Sequence, residues 1–131
     1  MIQVAVVSKN QLVIDAFKDS REVYSDISVG YLGGDLTGLN NYFDMILIDF
    51  QPSFVQKLNK LNRSTTIIVM VEKCHYLFFY RNKPEYVNCI IPKEIGYNEI
   101  LKIAKMVYEG NIIKHPLLVE WEKDDILKVL C

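Results

Sequence analysis

Two aspartates frame the most distinctive stretch of the chain, Asp44-Met45-Ile46-Leu47-Ile48-Asp49, and Phe50-Gln51-Pro52 follows it. A short apolar run bounded by turn residues reads as a strand buried on both faces. Asp49 then stands at the carboxyl end of a central strand, the edge of an open α/β sheet where ligands and chemistry collect. A carboxylate there reacts only if its neighbours supply a cation and a hydrogen-bond donor. Other reactive groups are sparse. Cys74, Cys89 and Cys131 are an odd number at wide spacings, which suits reduced thiols in a cytoplasm better than a disulfide framework. His75 and His115 form no pair with them at ligand spacing, so no metal site is expected.

The elements that must position Asp49 follow from the hydrophobic pattern. Residues 2–7 read as a continuous apolar strand, and Asn10 as the N-cap of a helix whose face carries Leu12, Val13, Ala16 and Phe17. Asp26 to Gly30 alternates and predicts a strand closed by Gly33-Gly34. A short helix is assigned to residues 35–42. Pro52 opens a helix carrying Phe54, Val55, Leu58 and Leu61, since proline suits a first turn. Thr65 to Val71 reads as a strand buried on both sides, Tyr76 to Arg81 as a short helix, and Val87 to Ile91 as a strand stopped by Pro92. Ile100, Ile103, Ala104, Val107 and Tyr108 share one helical face, with Gly110 at the C-terminal cap. Alternating strands and helices imply βαβ units, a parallel sheet and right-handed crossovers. The expected fold is α/β, a flavodoxin-like doubly wound five-stranded parallel sheet with helices on both faces.

Composition narrows the function. A chain of 131 residues suits one domain, and 50% hydrophobic with 24% charged residues is ordinary for a globular protein. A formal net charge of −1 argues against nucleic-acid binding by the domain as a whole, because phosphate contacts need a basic surface. Met1 runs directly into the first strand, so neither a signal peptide nor a membrane span is expected. A cytoplasmic protein is the resulting expectation.

The order of these segments resembles a response-regulator receiver domain, of the kind found in NarL/LuxR-type transcription regulators. Asp44 to Asp49 resembles the family's Asp-x-x-Leu-x-Asp strand, whose last aspartate accepts a phosphoryl group. Ile91-Pro92-Lys93 resembles the segment ending in the active-site lysine, and Glu99-Ile100-Leu101 with Val107-Tyr108-Glu109-Gly110 resembles the last helix. The likeness spans residues 2–116. It implies the CheY-like strand order 2-1-3-4-5, a receiver-like domain over residues 1–116 and a helical C-terminal extension over 117–131.

The same resemblance exposes departures. The family's acidic pair, which holds Mg²⁺ for phosphorylation, falls here on Ser8 and Lys9. Mg²⁺ requires oxygen ligands and is needed to offset like charge on carboxylate and phosphate. Its binding is therefore expected to be weak or absent, and no other cofactor is implied. Val71 replaces the hydroxyl residue that bonds the phosphoryl group, and Ile90 replaces the switch aromatic three residues before Lys93. Asp49 is then expected to be held by Lys9 and Lys93, with Lys9 substituting for the metal, the alternative being a Lys9 that points into solvent.

The leading expectation is an atypical, non-catalytic receiver in two-component-type signalling and transcriptional regulation. It would act by dimerisation or partner binding, largely independently of phosphorylation. The alternatives are a conventional phosphoacceptor using Asp49 with Mg²⁺, and a stand-alone adaptor or inhibitor of another regulator. A protein partner, in the first instance a second copy, is expected, with DNA contacted only through an effector domain outside this chain and no membrane contact. Tyr76, Phe78, Phe79 and Tyr80 form an aromatic run that serves either the core or such an interface. Ile126, Leu127 and Leu130 share a face of the C-terminal extension.

Overall fold

Side chains that are apolar on both faces of a strand force that strand into the middle of a layered structure. The computed structural model describes residues 2–20, 26–36, 42–58, 64–81 and 86–124. Its strands are β1 (Ile2–Val7), β2 (Ile27–Gly33), β3 (Met45–Asp49), β4 (Thr66–Val71) and β5 (Cys89–Pro92). They form one sheet in the order β2-β1-β3-β4-β5, with all neighbouring pairs parallel. Every residue of β3 is buried, as the apolar run Met45–Ile48 requires, and Asp49 at its end is buried with it.

The helices are α1 (Gln11–Ser20), α2 (Val55–Leu58), α3 (Lys73–Arg81), α4 (Tyr97–Tyr108) and α5 (Pro116–Glu122). Alternate residues along each strand point to opposite faces. Val4, Val6, Met45, Leu47, Ile68 and Met70 pack with Val13 and Phe17 of α1 and with Ile100, Ala104 and Val107 of α4. Ala5, Val7, Ile46, Ile48, Ile67 and Val69 pack with Leu58 of α2, Tyr76 and Phe79 of α3, and Leu118 and Trp121 of α5. Both faces are thus covered, in the doubly wound arrangement.

Local signals explain most boundaries. Asn10 Oδ1 accepts a hydrogen bond from the Leu12 N–H at 3.0 Å, as an N-cap should. Gly110 takes φ +100°, and the N–H groups of Gly110 and Asn111 bond back to the carbonyls of Val107 and Met106. That is the paired C-terminal closure that glycine permits. Pro52 does not start an α-helix directly; Pro52–Phe54 forms a 3₁₀ turn before α2.

Further expectations need correction. Leu12 does not join the buried face of α1 but is 78% exposed, because Val13 and Phe17 already fill the contact with the sheet. Helix α3 begins at Lys73, earlier than its aromatic run suggests, since the Glu72 carbonyl accepts the N–H groups of His75 and Tyr76 and starts the turn without apolar residues. Pro92 ends β5 as its last residue rather than lying beyond it, and a missing N–H is tolerated at that margin. The helix assigned to 35–42 and the apolar positions Leu61, Ile126, Leu127 and Leu130 lie largely or wholly outside the described residues.

Candidate functional site

The parallel sheet delivers Asp49, Ser8 and Lys93 to one edge, because β3, β1 and β5 all run toward it. Asp49 is the last residue of β3 and is 2% exposed. Lys93 follows β5 in a 3₁₀ turn, and its Nζ lies 2.9 Å from Asp49 Oδ1. Ser8, just past β1, is fully buried and its Oγ donates to Asp49 Oδ2 at 2.6 Å. Each carboxylate oxygen therefore has its own internal partner. A buried carboxylate needs that, since its hydration has been removed.

Ser8 is itself fixed. Its N–H bonds to the Gly33 carbonyl at 2.8 Å, and its Oγ accepts from the Asn10 N–H at 3.0 Å. The hydroxyl thus accepts from the start of α1 while donating to β3. This links the two segments that flank the pocket.

Lys9 does not fulfil its expected role. Its side chain leaves the pocket and its Nζ stands over the Phe54 ring, 5.3 Å from the centroid. Consecutive residues leaving a strand point in different directions, so Ser8 enters the pocket and Lys9 cannot follow. The charge facing Asp49 comes from Lys93 alone among the described residues.

A cleft of about 300 Å³ adjoins the pair, lined by Val71, Glu72, Lys73, Lys93 and Glu94. Glu72 Oε1 lies 3.8 Å from Lys93 Nζ and is well exposed. Val71 and Ile90 are both buried in the core, where they fill volume but offer no hydroxyl. The donor set suits Mg²⁺ poorly: around Asp49 stand a serine hydroxyl and an ammonium, whereas that ion takes carboxylates and water in octahedral array.

Phe50, directly after Asp49, joins the pocket to α3. Its ring meets those of Phe79 at 4.9 Å, His75 at 5.6 Å and Phe78 at 5.7 Å. The aromatic run divides accordingly. Tyr76 and Phe79 are buried in the core, while Phe78 and Tyr80 are 40% and 38% exposed.

Helix α5 lies against the same element. Tyr76 donates to Glu122 Oε1 at 2.7 Å, Lys114 Nζ approaches that oxygen at 2.7 Å, and Lys73 pairs with Asp124. Burial and the bond to Glu122 together push the Tyr76 hydroxyl well above its ordinary value. Burial raises the Glu122 carboxyl, but hydrogen bonds from Lys114 and Tyr76 outweigh it and hold the group below its ordinary value. Sequence reasoning missed this cluster, because Tyr76 and Glu122 are 46 positions apart. It also missed the grouping of Glu72, Cys74 and His75 at the head of α3. The signal available was their closeness in sequence around a helix start.

No protein-family model matches the chain, and no curated protein matches it significantly. The fold is similar to the crystal structure of the response regulator ChrA of a heme-sensing two-component system. The TM-score is 0.70 at 15% sequence identity, over 92% of this chain and 63% of the other. This chain therefore spans less than two thirds of the length of that regulator. With the 2-1-3-4-5 parallel sheet, the likeness establishes a flavodoxin-like, receiver-like fold. No helix among the described residues is long and apolar enough to cross a membrane.

Proposed function

We propose that this chain is an atypical receiver-like regulatory module whose pocket is held in one state by internal bonds. The observation that carries this reading is the engagement of Asp49 Oδ2 by buried Ser8, at a position where a working receiver would carry a metal-binding carboxylate. Phosphoryl transfer to a carboxylate asks for a free attacking oxygen and a cation to spread the developing charge. Here the attacking group is already bonded, and the positions that would hold Mg²⁺ carry Ser8 and an outward-facing Lys9. Mg²⁺ binding is accordingly weak, and the module is non-catalytic.

Signalling would run through protein contact, in the first instance with a second copy. The exposed aromatics Phe78 and Tyr80 favour that reading, and Tyr80 borders a cavity of about 310 Å³ with fully exposed Ile112. Transcriptional control would require an effector domain outside this chain, and a role as adaptor to another regulator would not.

The rival reading is a conventional phosphoacceptor. It is favoured by the Asp49–Lys93 pair, which has the arrangement that a phosphorylated receiver would use. Exposure to acetyl phosphate with Mg²⁺, followed by intact-mass measurement, separates the two. The one-state module gains no phosphoryl mass; a phosphoacceptor gains one, and loses it in Asp49→Asn.

A further inference from the structure

We propose that Glu72, Cys74 and His75 form a zinc-binding site at the start of α3, beside the cleft that adjoins the Asp49–Lys93 pair. The carboxylate, the thiol and the imidazole each offer one ligand atom, and these atoms all lie within 4.8 Å of one another. Cys74 Sγ already faces Glu72 Oε2 at 3.9 Å. His75 Nδ1 is shielded from solvent and lacks a hydrogen-bond partner among the described residues. A shielded imidazole nitrogen without a partner is destabilising, and coordination would satisfy it. Its ring is steadied edge-on against Phe50, so one ligand is already oriented.

The neighbouring cations do not oppose an ion as strongly as the sequence suggests. Lys73, between the ligands in sequence, is directed to Asp124, and Lys93 is directed to Asp49. The two oxygens of Glu72 are divided, with Oε1 toward Lys93 and Oε2 toward the thiol. A thiolate, an imidazole nitrogen and one carboxylate oxygen form a borderline-soft set that selects Zn²⁺ over Mg²⁺ or Ca²⁺. Tetrahedral coordination brings ligand atoms to about 3.5 Å from one another. Glu72 and Cys74 are exposed, so their side chains can close that gap without disturbing the core. On binding, Cys74 loses its proton to solvent and forms the sulfur–zinc bond. The fourth position is left for water or a ligand from a partner.

The test titrates the intact chain with Zn²⁺ against a chromophoric chelator, and with Co²⁺ as a spectroscopic substitute. The expected result is one equivalent of metal and a thiolate-to-cobalt charge-transfer band. Cys74→Ser and His75→Gln should each weaken binding at least about tenfold. Cys74 is exposed, so its serine variant keeps the fold and can decide the question alone. Cys89→Ala, Cys131→Ser and Asp49→Asn should each retain the metal. A missing charge-transfer band, its survival in Cys74→Ser, or its loss in Cys131→Ser or Asp49→Asn would overturn the assignment.

Discussion

Ser8 Oγ donates to Asp49 Oδ2 at 2.6 Å, joining two buried residues 41 positions apart in the chain. With Lys93 on the other oxygen, this bond fixes the carboxylate between β1, β3 and β5. Replacing the hydroxyl leaves a buried acceptor unsatisfied, which costs about 1–3 kcal/mol. Ser8→Ala should therefore lower the melting temperature by several degrees. Ser8→Asp places a second carboxylate beside Asp49, the kind of ligand that Mg²⁺ needs. That variant should be stabilised by added Mg²⁺ in thermal melts, whereas the parent should not.

Breaking the ion pair should be worse than removing it. Lys93→Ala strands the Asp49 charge in a buried site, at a cost of about 3 kcal/mol. Combining Asp49→Asn with Lys93→Met removes both charges, and chemical denaturation should return part of that loss. Additive costs would show that the two groups are not coupled.

Lys9→Ala should have a small effect, because an exposed ammonium over a phenyl ring contributes about 0.5–1 kcal/mol. A melting shift as large as that of Lys93→Ala would mean that Lys9 reaches the carboxylate after all.

These contrasts indicate how far the chain could be read unaided. The buried runs of β3 and β4, the cap at Asn10 and the closing Gly110 follow from local composition, which acts where it is read. The meeting of Asp49 with Lys93 was implied by the resemblance to receiver domains, not by local composition. Side-chain direction did not follow. Whether Ser8 or Lys9 enters the pocket depends on the bond between the Ser8 N–H and Gly33, formed across the sheet. Likewise, the split of the aromatic run depends on Phe50 and Trp121, each far from it in sequence.

That split sets the outcome of interface tests. Phe79 is buried, so Phe79→Glu should unfold the domain rather than report on association. Phe78→Glu and Tyr80→Glu should preserve the fold and reduce the mass of an oligomer in light scattering. Unchanged mass in both would exclude this face from the contact.

The anchor of α5 should respond to acid. Glu122 titrates below its ordinary 4.5 in the folded chain, since the bonds from Lys114 and Tyr76 outweigh its burial. A depressed carboxyl contributes stability above its unfolded value, and that contribution fades as pH falls through the folded value. Trp121, the sole tryptophan, is buried 5.8 Å from Tyr76 and reports on this contact. Its fluorescence should shift to the red below pH 4.5, and Glu122→Gln should flatten that transition.

The central claim is that the Asp49 pocket holds one state without phosphorylation. Amide spectra of the chain, recorded before and after beryllofluoride and Mg²⁺, test it most directly. Unchanged resonances for Ser8, Asp49, Phe50 and Lys93 at saturating reagent are the predicted result. An adduct on Asp49 that moves the resonances around Lys93 and along α3 would contradict it.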